Sequence, residues 1–345
     1  MTTFTSSRTN KAGHNPSDDT ALIPGRGPKL TAFFERFALV GLTAIIMLFF
    51  GFFPGTSSTY FSSLNVTSVL ANQSITALLA IAILFPLIVG HFDFSAAASS
   101  SISSVVIAAV LGAGGIPEGA AVACGIASGA LVGCVNGLLV AGFGMNSFVT
   151  TLAMATFIGG MIQLWTGGQQ ILLTAGSGLA ALGTSRFLGL SPIIFLVVAA
   201  VALAWYLLQH TPYGRRLYAI GSNARTSSLI GLSVRRHVFS AFVLSGVLGG
   251  IVGVFYVSRM GASAADAGNS LMFAALAAVF LGATTLQPGR YNVLGTVVGV
   301  LFVASCVSGL TLAGVDAWVQ PVFNGIALLL AIGVSTALGA GRRKA

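Results

Sequence analysis

The feature that most constrains this chain is the length of its uncharged apolar runs. No Asp, Glu, Lys or Arg occurs from Phe37 to Val89, from Gly119 to Ser185 or from Val238 to Ser258. Each run is at least as long as the roughly 20 residues that a helix needs to cross a bilayer. Only 7% of the residues are charged and the mean hydropathy is +0.94, whereas soluble domains carry about 25% charged residues. Most of the surface therefore has to face lipid. Unpaired backbone groups are costly in lipid, so the spans must be helices or a closed barrel, and continuous apolar runs without period-2 alternation select helices. The fold class that follows is an all-α polytopic membrane protein.

Cutting the sequence at charges and at Gly/Pro/Asn clusters predicts ten crossings, at about 33–53, 74–91, 95–112, 119–141, 147–166, 191–209, 238–258, 271–286, 293–314 and 318–338. Residues 54–73 and 167–190 are polar enough to be re-entrant pieces or short external helices, and 119–185 is long enough to hold one crossing more. An even count puts both termini on one side. If that side is the cytoplasm, Arg8, Lys11, Arg26, Lys29, Arg36, Arg215, Arg216, Arg225, Arg235, Arg236, Arg290, Arg342, Arg343 and Lys344 are inside, and only Arg186 and Arg259 are outside. The formal charge of +9 is thus spread over loops and forms no single basic stripe, which argues against a nucleic-acid partner. The organisation expected is a polar, disordered cytoplasmic tail over 1–31, a transmembrane domain over 32–340 and a basic cytoplasmic tail over 341–345.

Small residues suit such a bundle. Gly125/Gly129/Gly133 and Gly246/Gly250 have the small-xxx-small spacing that lets helices approach closely in lipid. Cys124 and Cys134, ten residues apart on one helix, would stand about 15 Å apart and cannot pair with each other. With Cys306 they read as small packing residues.

The longest basic loop, His210 to His237, is the most informative segment. Pro212 and Gly214 are expected to stop the preceding crossing, and Ser222 or Asn223 to cap a short helix that runs through Leu229 and ends at Gly231. The run Thr211-Pro-Tyr-Gly-Arg-Arg-Leu-Tyr-Ala-Ile-Gly-Ser-Asn-Ala, continuing to Leu229-Ile-Gly-Leu-Ser-Val, closely resembles the T-x-x-G-R-x-x-Y-A-x-G-x-N…G-[IL]-x-V loop of ribose/xylose-type ABC permeases. The resemblance extends to Val135-Asn-Gly-Leu-Leu-Val, to Asn146-Ser-Phe-Val-Thr-Thr-Leu-Ala-Met, and to Leu276-Ala-Ala-Val-Phe-Leu-Gly-Ala-Thr-Thr with Pro288-Gly-Arg-Tyr-Asn-Val-Leu-Gly-Thr. It departs from the family pattern at Gly90-His-Phe-Asp-Phe-Ser-Ala-Ala, which loses two glycines, and at Gly282-Ala-Thr-Thr-Leu-Gln-Pro-Gly-Arg-Tyr.

The resemblance implies the permease subunit of an importer for a monosaccharide or related sugar in the bacterial inner membrane. It further implies a second permease copy, an ATP-binding subunit or tandem ATPase, and an extracytoplasmic sugar-binding protein. The loop residues matching the family motif, Gly214, Arg215, Ala219, Gly221, Asn223 and Gly231, are expected to engage the ATPase. ATP and magnesium belong to that partner: none of Lys11, Lys29 or Lys344 is followed by Ser or Thr, so no G-x-x-x-x-G-K-[ST] lysine exists here. Glu35 and Glu118 are the only glutamates and neither lies beside a histidine, which removes H-E-x-x-H zinc chemistry. The four scattered histidines, His14, His91, His210 and His237, form no metal site, so the chain is expected to bind no cofactor and to be no enzyme. Asp93 is the one carboxylate expected near membrane depth. It either shapes the translocation path or its gate, or it caps the helix beginning at Ser95 or sits at the cytoplasmic interface. Asn136 and Asn324 are read as interhelical hydrogen-bond partners or sugar contacts, and Ser95 and Thr150 as further residues of the path or its gate. The alternative function class is an ion-coupled secondary transporter, which needs several buried ionisable groups or half-helix ion sites.

Overall fold

The computed structural model describes residues 29–174, 176–266, 268–316 and 318–344. The expected tail over 1–31 lies, up to residue 28, outside the described residues. Helices follow one another as α1 (Lys29–Phe52), α2 (Ser63–Ile88), α3 (Ser95–Ala113), α4 (Glu118–Gly137) with a π-helical turn to Gly142, α5 (Ser147–Thr166), α6 (Gly178–Thr184), α7 (Pro192–His210), α8 (Pro212–Ser222), α9 (Ala224–Leu229), α10 (Val234–Met260), α11 (Asn269–Gly282), α12 (Val293–Leu312) and α13 (Val319–Lys344). Two short strands, β1 (Ile171–Leu172) and β2 (Ala262–Ser263), pair antiparallel. Among the described residues, α2, α3, α4 with its π turn, α5, α7, α10 and α12 are long and apolar enough to cross a bilayer. Arg36–Phe52, Asn269–Gly282 and Val319–Leu330 are shorter apolar helical stretches. The chain is thus a polytopic all-α bundle.

Local signals set the boundaries. Side-chain oxygens of Ser62, Asn146, Thr211, Asn223 and Asn292 accept backbone N–H bonds at the starts of α2, α5, α8, α9 and α12, which satisfies donors that a helix start leaves unpaired. Gly261, in the left-handed region at φ 69°, ends α10. The expected second crossing starts eleven residues early: α2 begins at Ser63 and not at 74, so most of the segment set aside as re-entrant is the polar end of a long helix. Residues 167–190 form β1 and the short α6, whose first N–H groups, at Gly178 and Leu179, donate to the Glu118 carboxylate at 2.7 and 3.2 Å.

α2 is the hub. Leu78 to Leu84 are fully buried, because α7, α10, α11 and α12 all pack on this helix, and an all-round apolar surface is what such a position requires. The predicted glycine spacing appears as a backbone-to-backbone crossing of α4 and α10. A Cβ at Gly129 would meet the Gly246 carbonyl and the Gly250 backbone, and one at Gly133 would meet Phe242 and Gly246. In lipid, where van der Waals packing drives association, that proximity is the interaction itself.

The connections gather at two ends. At one, Thr285 Oγ1 and Leu286 N–H donate to the Arg36 carbonyl at 2.7 and 2.9 Å, and the Phe92 N–H donates to Ser147 Oγ. At the other, Tyr60 donates to the Ser305 carbonyl, Ser258 Oγ donates to the Leu179 carbonyl, and the Arg259 guanidinium reaches the Gly183 carbonyl. α8, α9 and Arg290 belong to the first end, the basic face. Arg186 and Arg259 belong to the second.

Candidate functional site

Two places hold most of the residues singled out from the sequence. The first is the basic face. The preceding crossing ends where expected, α7 stopping at His210, but a second helix follows at once: Thr211 caps, and Pro212 occupies the first turn of α8, where a missing N–H costs nothing. The loop is therefore two helices. α8 turns Gly214, Leu217 and Ile220 inward and leaves Arg215, Arg216 and Ala219 exposed. Asn223 ends α8 and caps α9, its Oδ1 accepting from the Thr226 N–H at 2.9 Å. Gly231, at φ 84°, closes the unit. Gly221 has no left-handed backbone. Its constraint is contact within the chain, since a Cβ would strike the Ile88 carbonyl at the end of α2, and one at Gly214 would strike the Leu208 carbonyl.

Beside α8 lies a hollow of about 730 Å³ lined by residues including Arg215, Ala219, Gly221, Gly90 and Arg290. Its wall is fixed by Tyr218, which donates to the Tyr291 carbonyl at 2.9 Å while the Arg290 guanidinium stands 3.8 Å over its ring. Burial raises the Tyr218 hydroxyl above its usual value, against a smaller lowering by Arg290, and pushes Tyr291 up to about 12. Both remain protonated, so Tyr218 is a permanent donor. At the far edge Leu229 and Ile230 are 80% and 72% exposed next to Arg225, an apolar and cationic surface away from the apolar spans.

The second place is the break between α2 and α3. Asp93, 3% exposed, accepts at Oδ1 from the Ser95 N–H at 2.9 Å and from Ser95 Oγ at 2.5 Å, and Asn136 Nδ2 on α4 donates to Ser95 Oγ at 2.6 Å. Ser245 on α10 approaches the same carboxylate without a hydrogen bond of good geometry. Asp93, Ser95 and Asn136 thus come together in one network that ties the break after α2 and the start of α3 to α4, with the carboxylate capping α3. Thr150 is not part of it. Its hydroxyl bonds back to the Asn146 carbonyl at 2.7 Å, while its neighbour Thr151 takes the Phe94 N–H at 3.0 Å. Asn324 sits apart on α13, which packs against α11.

Residues 65–332 match the family model described as branched-chain amino acid transport system / permease component. The chain belongs to this permease family. Similar permeases include the ribose import permease protein RbsC of Bacillus subtilis (33% identical, covering 88% of this chain and 91% of that protein). The L-arabinose ABC transporter permease protein AraH of Azospirillum brasilense is 30% identical over 92% of this chain and 93% of its own. The autoinducer 2 import system permease protein LsrC of Salmonella paratyphi B is 33% identical over 84% and 82%. No solved structure matches this permease.

Proposed function

We propose that this permease is the membrane-spanning subunit of a bacterial ABC importer that moves a monosaccharide or related sugar through the inner membrane. The observation that carries the reading is the near full-length similarity to the ribose and L-arabinose permeases. The seven long and three shorter apolar helices are taken as ten crossings with both termini cytoplasmic. The basic face then lies in the cytoplasm, which agrees with its cations, and the α8–α9 unit is the surface that meets the ATPase. A second copy of the chain completes the pore, and an extracytoplasmic binding protein delivers the sugar. ATP is hydrolysed on the partner. The ion-coupled alternative is not favoured, since Asp93, the one buried carboxylate among the described residues, is spent on the cap of α3.

The test is biochemical. The purified chain alone should hydrolyse no ATP, and should co-purify with the ATPase in a complex whose hydrolysis is stimulated by the loaded binding protein. ATPase activity that follows this polypeptide through purification would overturn the assignment.

A further inference from the structure

α11 is a half-length helix, and the segment before it explains why. After Gly261 the chain does not cross back over the top of the bundle. It descends along α3: the Ser263 and Ser104 hydroxyls share a hydrogen bond of 2.5 Å, and the Gly268 N–H donates to Ser101 Oγ at 2.9 Å. A Cβ at Gly268 would strike the Ala97 carbonyl, so only glycine lets the chain come this close. Ser101 lies more than three turns from the end of α3 at Ala113, roughly 18 Å at about 1.5 Å per residue. α11 therefore starts in the interior of the bundle, and among the described residues no helix fills the space above it.

That space is a cavity of about 360 Å³, walled by the Ser63 end of α2, the Met260 end of α10 and the Leu312 end of α12, and floored by the first turns of α11. It lies on the face opposite α8, and its size falls in the roughly 300–1,000 Å³ range of small-ligand sites. Its wall carries Asn65, Asn72, Gln73, Thr76, Tyr256 and Ser270 among apolar residues, and none of its lining residues is charged. Gln73 Oε1 is buried with no hydrogen-bond partner, an acceptor in want of a donor. Asn72 Oδ1 accepts from Arg259 Nε at 3.1 Å, which leaves the Asn72 amide N–H groups as the donors of that side chain. The same arginine is also tied to the Gly183 carbonyl. Amides and hydroxyls beside apolar surface suit a ring that bears hydroxyls and has apolar faces. An amino-acid zwitterion would have to give up the hydration of two charges with no opposite charge in the lining to repay it.

We propose that this cavity is a substrate-receiving site within the single subunit, selective for a neutral polyhydroxylated ligand of monosaccharide size. The proposal rests on the importer reading and adds to it: the permease selects its cargo a second time, after the binding protein.

The experiment uses the complete complex in proteoliposomes, with radiolabelled D-ribose, L-arabinose, D-allose and L-leucine as probes. The double variant Gln73→Leu, Thr76→Val should lower uptake of the transported sugar roughly tenfold or more per inserted subunit, because buried partners for its hydroxyls are lost. Gln73→Asn should recover part of that loss, and the ratio of KM values between sugars should change. In a background without the native cysteines, Ser270→Cys should react with a membrane-impermeant thiol reagent from the face opposite α8, and the transported sugar should slow that reaction. Sugar uptake by wild type that is matched in rate and KM by the double variant, or Ser270→Cys labelling indifferent to sugar, overturns the cavity alone. A wild-type complex that moves L-leucine and none of the sugars overturns the importer reading with it.

Discussion

Ser95 gives and takes three hydrogen bonds within one turn of the α2–α3 break, and Asp93 supplies two of the acceptor contacts. If the carboxylate acts as a cap, the test is whether an uncharged acceptor suffices. Asp93→Asn keeps an oxygen for the Ser95 N–H and should retain folding and uptake. Asp93→Leu leaves buried donors unpaired at about 1–3 kcal/mol each and should lower the thermal unfolding midpoint in detergent well below that of the Asn variant. Equal midpoints would return Asp93 to the translocation path. The sequence made Asp93 and Asn136 conspicuous, because a carboxylate or an amide in an apolar run must find a partner. It made Thr150 and Asn324 equally conspicuous, and the two differ in the fold: Thr150 satisfies its hydroxyl on the carbonyl one turn back, a case that no periodicity distinguishes from a ligand contact, while Asn324 Oδ1 is buried with no hydrogen-bond partner.

At the scale of elements, the α4–α10 crossing and the α8–α9 unit separate stability from coupling. Gly246→Val puts a branched side chain against the Gly129 carbonyl and the Gly133 backbone. Overpacking of this kind costs about 1–3 kcal/mol or more, so the variant should insert poorly and unfold at lower temperature. Gly221→Val belongs with it, because the clash is with Ile88 of the same chain. Arg215→Glu is the clean probe of coupling, since its side chain is exposed. Reversing one interface charge can cost several kcal/mol, and each ~1.4 kcal/mol is a factor of ten in affinity. Pull-down should find the ATPase association weakened about tenfold or more at normal insertion, and full association with full transport would leave this loop only a topological role. Caps and glycines made α9 legible to within a residue. Pro212 was rightly read as the end of the preceding crossing, since α7 stops at His210; what the sequence reading missed is that the same proline, after the Thr211 cap, also opens α8.

Over the whole molecule, nine of the ten predicted spans have helices close to the expected positions, because lipid leaves few other structures for an uncharged run. The exceptional region is instructive. Residues 63–73 look too polar for a span, and α11 by itself is shorter than a full span, and the two departures meet at the same cavity. Polar side chains that line a hollow inside a bundle read, in one dimension, like a loop. The ten-crossing orientation predicts that introduced cysteines near Glu118, Asp266 and Asp316 react with an impermeant reagent from outside the cell, and that one at Arg225 does not. Labelling at Arg225 from outside would reverse the bundle. The most direct measurement of the central claim is sugar uptake into proteoliposomes holding this chain with its ATPase and binding protein, run with and without ATP and with sodium and proton gradients collapsed by ionophores. Uptake should require ATP and survive the ionophores; uptake by this chain alone, without the ATPase and abolished by collapsing an ion gradient, would make it a secondary transporter instead.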